Sequence, residues 1–118
     1  MAKILIIEDD PQIRRLVVEI LAGAGHEMFD VEDGDEGLRL VQIDRPALVI
    51  TDILMPQTDG LEVIRELRRD ALRIPTIAIS GGHEIYLRMA KRLGASATLV
   101  KPFRPADLLR AVDALLAS

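Results

Sequence analysis

The sequence predicts an α/β fold, a doubly wound parallel sheet of five strands with five helices distributed over its two faces. Three observations predict it. Short aliphatic runs alternate with helix-periodic segments along the whole chain. The connections between them are short, with no linker, repeat or low-complexity stretch. The 118 residues suit one compact domain, assigned here to 1–118, and 49% hydrophobic against 3% aromatic content calls for an aliphatic core.

The elements follow in order. Residues 4–7 form a continuous aliphatic run, the mark of a strand buried on both faces. Asp10-Pro11 is an N-cap with proline at the first helical position. Behind it Ile13, Leu16, Val17, Ile20 and Leu21 make one apolar stripe at helical spacing. Gly23 and Gly25 end that helix, and a weaker strand follows over 27–31. Asp33-Gly34-Asp35 starts a second helix with Leu38 and Val41 on one face. Gly37 inside it costs about 1 kcal/mol relative to Ala, which predicts a soft helix.

Pro46 opens a strong strand over 47–51, ending at Asp52. A loop over 54–60, in which Asp59 before Gly60 is a turn or cap residue, precedes a helix carrying Leu61, Ile64 and Leu67. Pro75 introduces a strand over 76–79. The next helix carries Ile85, Met89 and Leu93 and closes at Gly94 with a left-handed cap. Residues 97–100 are the last strand, and Pro105 begins a last helix with Leu108, Val112, Leu115 and Leu116 inward. Five such units suit the flavodoxin-like order 2-1-3-4-5, whose site lies at the carboxyl ends of the first and third strands.

Composition excludes several functions. With 15 Lys+Arg against 19 Asp+Glu the net charge is −4, a poor basis for binding nucleic acid unaided. The absence of cysteine removes disulfides, thiolate metal sites and a Cys nucleophile. The first apolar run ends at once in acids and is too short for a signal peptide. Nothing approaches the ~20 apolar residues of a membrane span. A cytoplasmic protein is expected.

Chemistry collects at the strand ends. The first strand ends in Glu8, Asp9 and Asp10, the third in Asp52, the fourth in Ser80 and the fifth in Lys101. In the order 2-1-3-4-5, Glu8, Asp9 and Asp52 converge, and bare carboxylates so placed take up a proton or a cation. A hard divalent ion with oxygen ligands answers this, and Mg²⁺ fits because it keeps waters and accepts phosphoryl oxygens. Asp52 facing a metal, the Lys101 ammonium and the Ser80 hydroxyl is equipped to attack a phosphoryl group in line.

Four stretches carry a resemblance: Ile4-Leu5-Ile6-Ile7-Glu8-Asp9-Asp10; Leu48 through Asp52-Ile53-Leu54-Met55-Pro56 to Asp59-Gly60; Ile79-Ser80-Gly81; and Gly94-Ala95-Ser96 through Lys101-Pro102-Phe103. In this order and spacing the chain resembles the receiver domain of bacterial two-component response regulators over essentially its whole length. The resemblance implies that Asp52 is the phosphoacceptor and that Asp9 binds Mg²⁺ directly. Glu8 would act through a metal-bound water, and the backbone carbonyl of Leu54 would be a further ligand. Ser80 and Lys101 would bind the phosphoryl group, with a cis bond before Pro102. It also implies a sensor histidine kinase or histidine phosphotransfer protein as donor and an unknown downstream protein as target. Homodimers are common in the family.

Two departures stand out. Thr98 occupies a position that is aromatic in many receivers, so the usual aromatic readout is in doubt. The span from Ser80 to Lys101 is about one residue short, with Gly81-Gly82 in an altered loop. Leu54 and Gly82, flanking the approach of water to Asp52, include no acid or amide to position it, so hydrolysis of a phosphoryl-aspartate is not specially accelerated.

Plainer readings exist for the remaining residues. Asp10 is better explained as a cap than as a ligand, and His26 and His83 are loop residues without metal-ligand spacing. Ile13 faces either the core or a partner kinase. Tyr86, Arg88, Lys91 and Arg92 form either an output surface or, by default, a solvated helix face. The expected function is a phosphorylation switch that signals by binding another protein or relaying the phosphoryl group, whether as a whole protein or as an excised domain. The alternative is an Mg²⁺-dependent phosphohydrolase of similar fold. That chemistry usually carries Asp-x-Asp after the first strand and a substrate-covering cap; here the acids are consecutive and no cap insertion is present. A flavin or nucleotide module is disfavoured because Glu-Asp-Asp-Pro after the first strand repels phosphate.

Overall fold

The structure, a computed structural model, describes residues 2–54, 60–69, 73–82 and 84–117. The elements are β1 (Lys3–Ile7), α1 (Pro11–Gly23), β2 (Glu27–Val31), α2 (Gly34–Asp44), β3 (Leu48–Asp52), α3 (Gly60–Arg69), β4 (Thr76–Ser80), α4 (Glu84–Leu93), β5 (Ala97–Val100) and α5 (Pro105–Leu116). All four strand pairings are parallel and the order is β2-β1-β3-β4-β5, the one expected from the sequence. Ile7 pairs with Thr51, so the acids that follow β1 open beside Asp52. The Asp59 turn and His83 lie outside the described residues.

Alternation along β1 divides the core. Ile4 and Ile6 pack with Val17 and Leu21 of α1 and Leu108 and Val112 of α5. Leu5 and Ile7 face the other side, against Val41 of α2 and Val63 and Leu67 of α3. A third cluster joins Ile53 and Ala78 to Leu61, Ile64, Leu87 and Ala90. Burying such side chains contributes roughly 1.5–3 kcal/mol each, and that sum offsets the entropy of ordering the chain.

Local chemistry sets the helix ends. The Asp10 carboxylate accepts from the Gln12 and Ile13 amides at 2.9 and 3.4 Å and starts α1. Asp33 accepts from Glu36 N–H at 2.8 Å and starts α2, which Arg45 closes in a left-handed conformation, φ 46°. A side chain at Gly37 would lie 2.7 Å from Ile7 Cγ1, so this glycine lets α2 close onto β1 despite its local cost. Gly94 ends α4 with φ 121°. His26 accepts at Nδ1 from the Ala2 amide, 3.2 Å, a loop contact beside β2.

Two expected faces need correction. Leu16 belongs to the α1 stripe by spacing, yet it is 46% exposed, while Val17 and Leu21 carry the burial and Ile13 packs partly against the core. On α4 the residues turned inward are Leu87 and Ala90, with Tyr86 and Leu93 half-buried; Ile85 and Met89 are 59% and 42% exposed. The physical reason is helical phase: Tyr86, Leu87, Ala90 and Leu93 fall at i, i+1, i+4 and i+7 on one face, which leaves Ile85 and Met89 on the other side of the helix. No helix among the described residues is long and apolar enough to cross a membrane.

Candidate functional site

The pocket is built at the carboxyl ends of β1, β3, β4 and β5. Glu8 and Asp52 are buried and Asp9 is half-buried; a carboxylate oxygen from each lies within 4.8 Å of the others. Lys101 crosses from the end of β5 and places Nζ 3.0 Å from Glu8 Oε1 and 3.4 Å from Asp52 Oδ2. Its backbone N–H donates to the Ser80 carbonyl at 2.9 Å, and the Lys101–Pro102 bond is cis. The lysine stem runs past Gly81, where a Cβ would sit 3.3 Å from Lys101 Cβ.

The other oxygens are held by backbone. Glu8 Oε2 accepts from Asp10 N–H at 3.2 Å, and Asp52 Oδ1 accepts from Leu54 N–H at 3.4 Å. Thr51 Oγ1 donates to the Asp52 carbonyl, 3.0 Å. Ser80 is fully buried and its Oγ accepts from Gly82 N–H at 3.0 Å, which leaves the hydroxyl proton to donate. Glu8, Asp9, Asp52 and Lys101 thus meet at one point, Ser80 lies at the adjoining strand end and Asp10 caps α1 instead. Thr98 stands apart, lining a groove of about 460 Å³ with Gly82, Leu87, Arg88, Lys91 and Val100. Arg88 and Lys91 are not free charges: Arg88 pairs with Glu84 at 3.8 Å, and Lys91 donates to the Ser96 carbonyl at 3.2 Å.

Two residues with a bearing on the site escape a reading of strand ends. Arg14 of α1 donates from Nη1 to the Glu8 carbonyl at 2.8 Å. Gly60 opens α3 against the backbone of Asp52 and Ile53, donating its N–H to Ile53 O at 2.9 Å. The first depends on how α1 packs back over the end of β1; the second on the closeness of two backbones.

Burial pushes the Glu8 carboxyl up; the hydrogen bond from Lys101 works against this and the Asp52 charge adds to it, leaving the group at about 7 against an ordinary 4.5. For Lys101 burial alone would favour the neutral amine, but the hydrogen bond to Glu8 and the attraction of Asp52 outweigh it and hold the ammonium above its usual range. Between pH 4.5 and about 7 the folded chain keeps a Glu8 proton that the unfolded chain has released. The unfolding free energy of the metal-free protein therefore falls as pH rises through that window. Lys101 is charged in both states there and leaves the slope unchanged. Urea melts in chelator at about pH 5 and about pH 7 should show the loss in wild type and a flatter response in Glu8→Gln. The same slope in both proteins would contradict it.

These donors fit a divalent ion. All three carboxylates offer hard oxygens to one point, and an ammonium cannot neutralise them all. A metal would displace the proton that burial leaves on Glu8.

A parallel sheet with an acid cluster at its switch point and a lysine across it defines a class of α/β signalling domains. The chain matches the response regulator receiver domain over residues 4–113. It is 34% identical over 120 residues to protein PilH of Pseudomonas aeruginosa, covering 99% of each. It is 36% identical over 115 residues to the probable transcriptional regulator ycf27 of Cyanophora paradoxa, covering 97% of this chain and 48% of that one. The chain thus spans about half the length of ycf27 and of several other curated relatives it matches. The chemotaxis protein CheY4 of Vibrio cholerae superposes with a TM-score of 0.90 at 31% identity, covering 98% of both chains. The chain belongs to the response regulator receiver family, whose receiver domains are phosphoacceptor signalling switches rather than classical enzymes. The phosphohydrolase alternative is not favoured.

Proposed function

We propose that residues 1–118 act as one receiver unit that accepts a phosphoryl group on Asp52 with the help of Mg²⁺. The observation that carries this is the shared ammonium: Lys101 Nζ reaches both Glu8 and Asp52, with Asp9 completing the acid cluster. Asp9 and Asp52 would ligate the ion directly, the Leu54 carbonyl would add a ligand and Glu8 would hold a bound water. When present the metal neutralises charge on the transferring oxygens. An Asp52 oxygen attacks phosphorus, the bond from phosphorus to the donor nitrogen breaks, and its electron pair leaves with the donor imidazole. Lys101 then shifts its pairing toward the phosphoryl oxygens, and Ser80, leaving its Gly82 contact, donates to one of them.

The donor is a sensor histidine kinase or a histidine phosphotransfer protein, and the output passes to another protein in the cytoplasm. Thr98 cannot report the change as an aromatic ring would, so the readout falls on the exposed surface around the α4–β5 groove. Incubation with acetyl phosphate and Mg²⁺, read by intact mass, should add one phosphoryl group, and chelator should abolish the addition. Turnover of small phosphomonoesters would instead support the hydrolase. In the same experiment the adduct should persist well beyond seconds, because Leu54 and Gly82 supply no group to orient water. Decay within seconds would contradict that point.

A further inference from the structure

Among the described residues Arg14 makes the one ion pair outside the pocket that joins two elements of the fold. Its Nε lies 3.3 Å from Asp30 Oδ2 on the edge strand β2, whereas the other ion pairs fall inside the pocket or within a single helical turn. The same guanidinium donates from Nη1 to the Glu8 carbonyl at 2.8 Å. Glu8 N–H meanwhile donates to Val31 O of β2 at 3.0 Å. The residue is therefore held at both its N–H and its carbonyl, each time through β2. That carbonyl belongs to the peptide linking Glu8 to Asp9, so its direction sets where the Asp9 side chain leaves the backbone.

We propose that Arg14, aimed by Asp30, is a positioning residue for the cation site: it fixes the Glu8–Asp9 peptide and with it the directions of both carboxylates. The inference rests on the Mg²⁺ reading of the pocket. A planar guanidinium can hold a carbonyl and a carboxylate at once in fixed geometry, which an ammonium cannot. Its charge by itself opposes a nearby cation, and Asp30 largely cancels that charge. The two possible roles therefore have opposite signs. If Arg14 acted only through its field, removing it would tighten Mg²⁺ binding; if it positions the ligands, removing it loosens binding.

The test is an NMR titration of the full chain with MgCl₂, following the amides of Asp9 and Asp52, with urea melts of each protein alongside. Arg14→Met should weaken Mg²⁺ binding about tenfold, in the range seen when residues supporting metal ligands are removed. Asp30→Ala should weaken it in the same direction, by about threefold. Lys3→Met is the control. Lys3 also ties β1 to β2, its ammonium 5.0 Å from the Phe29 ring centre, but at the far end of the strands. It should lose stability while keeping its Mg²⁺ affinity. Tighter or unchanged binding in Arg14→Met overturns the proposal. Should that variant not fold, Arg14→Lys decides: it keeps the charge and loses the planar fork, so weakened binding supports positioning and unchanged binding overturns it. A wild type that binds no Mg²⁺ at all would overturn the reading of the pocket instead.

Discussion

Asp52→Asn should take up no phosphoryl group from acetyl phosphate, with or without Mg²⁺, while folding as well as wild type. Asn has the size and shape of Asp but no nucleophilic carboxylate, so the chemistry is lost completely. The stability argument is separate. Asp52 Oδ2 is 3.4 Å from Lys101 Nζ, but the lysine keeps its shorter 3.0 Å contact with Glu8. The Asp52 charge is also one of the influences that raise Glu8, so removing it relieves repulsion within the buried pair. The lost attraction to Lys101 and the relieved repulsion oppose each other, and the net change should stay within about 1 kcal/mol. Intact mass and a urea melt measure the two halves independently. A variant that loads at the wild-type rate would show that another carboxylate is the nucleophile. One that fails to fold would show that the charge on Asp52 is structural.

The alternation of aliphatic runs and capped helices made the sheet order legible, because Ile4 to Ile7 and the run ending at Asp52 are too apolar to sit anywhere but the centre. The acid pocket was legible for the same reason. Once β1 and β3 are neighbours, Glu8, Asp9 and Asp52 must meet. Helix faces were less legible. On α4 the pattern Ile85, Met89, Leu93 has proper spacing, but the set Tyr86, Leu87, Ala90 and Leu93 has it equally and is the one buried, and its small Ala90 gives little signal in a hydrophobic stripe. Arg14 and Asp30 carry no sequence signal of their pairing, since sixteen positions separate them and only the packing of α1 beside β2 brings them together. Gly60 was legible as a turn signal and nothing more. That α3 passes against the backbone of the Asp52 peptide is a property of packing, which no local pattern encodes.

Gly60→Ala should therefore be among the most damaging single-methyl additions in the protein. A Cβ on this buried glycine would collide with the Asp52 carbonyl oxygen and lie 2.5 Å from Ile53 Cα. Both neighbours are backbone at the end of a central strand, so neither can rotate away as a flexible side chain would. Relief requires either α3 to lift from the sheet, loosening Leu61 and Ile64, or the Asp52–Ile53 peptide to move, displacing the carboxylate from Lys101. Replacing glycine by alanine in a helix normally gains up to about 1 kcal/mol. Here the overlap should outweigh that and leave a net loss of about 2–4 kcal/mol. Phosphoryl uptake should slow by at least about tenfold, since small misplacements of a reacting group are costly. Gly23→Ala supplies the contrast, for a Cβ there meets nothing within 4 Å, and that variant should match or exceed wild-type stability. Urea titration and the Mg²⁺-dependent mass assay on both variants separate the outcomes. Equal behaviour of Gly60→Ala and wild type would mean that α3 stands further from the Asp52 backbone than this packing requires.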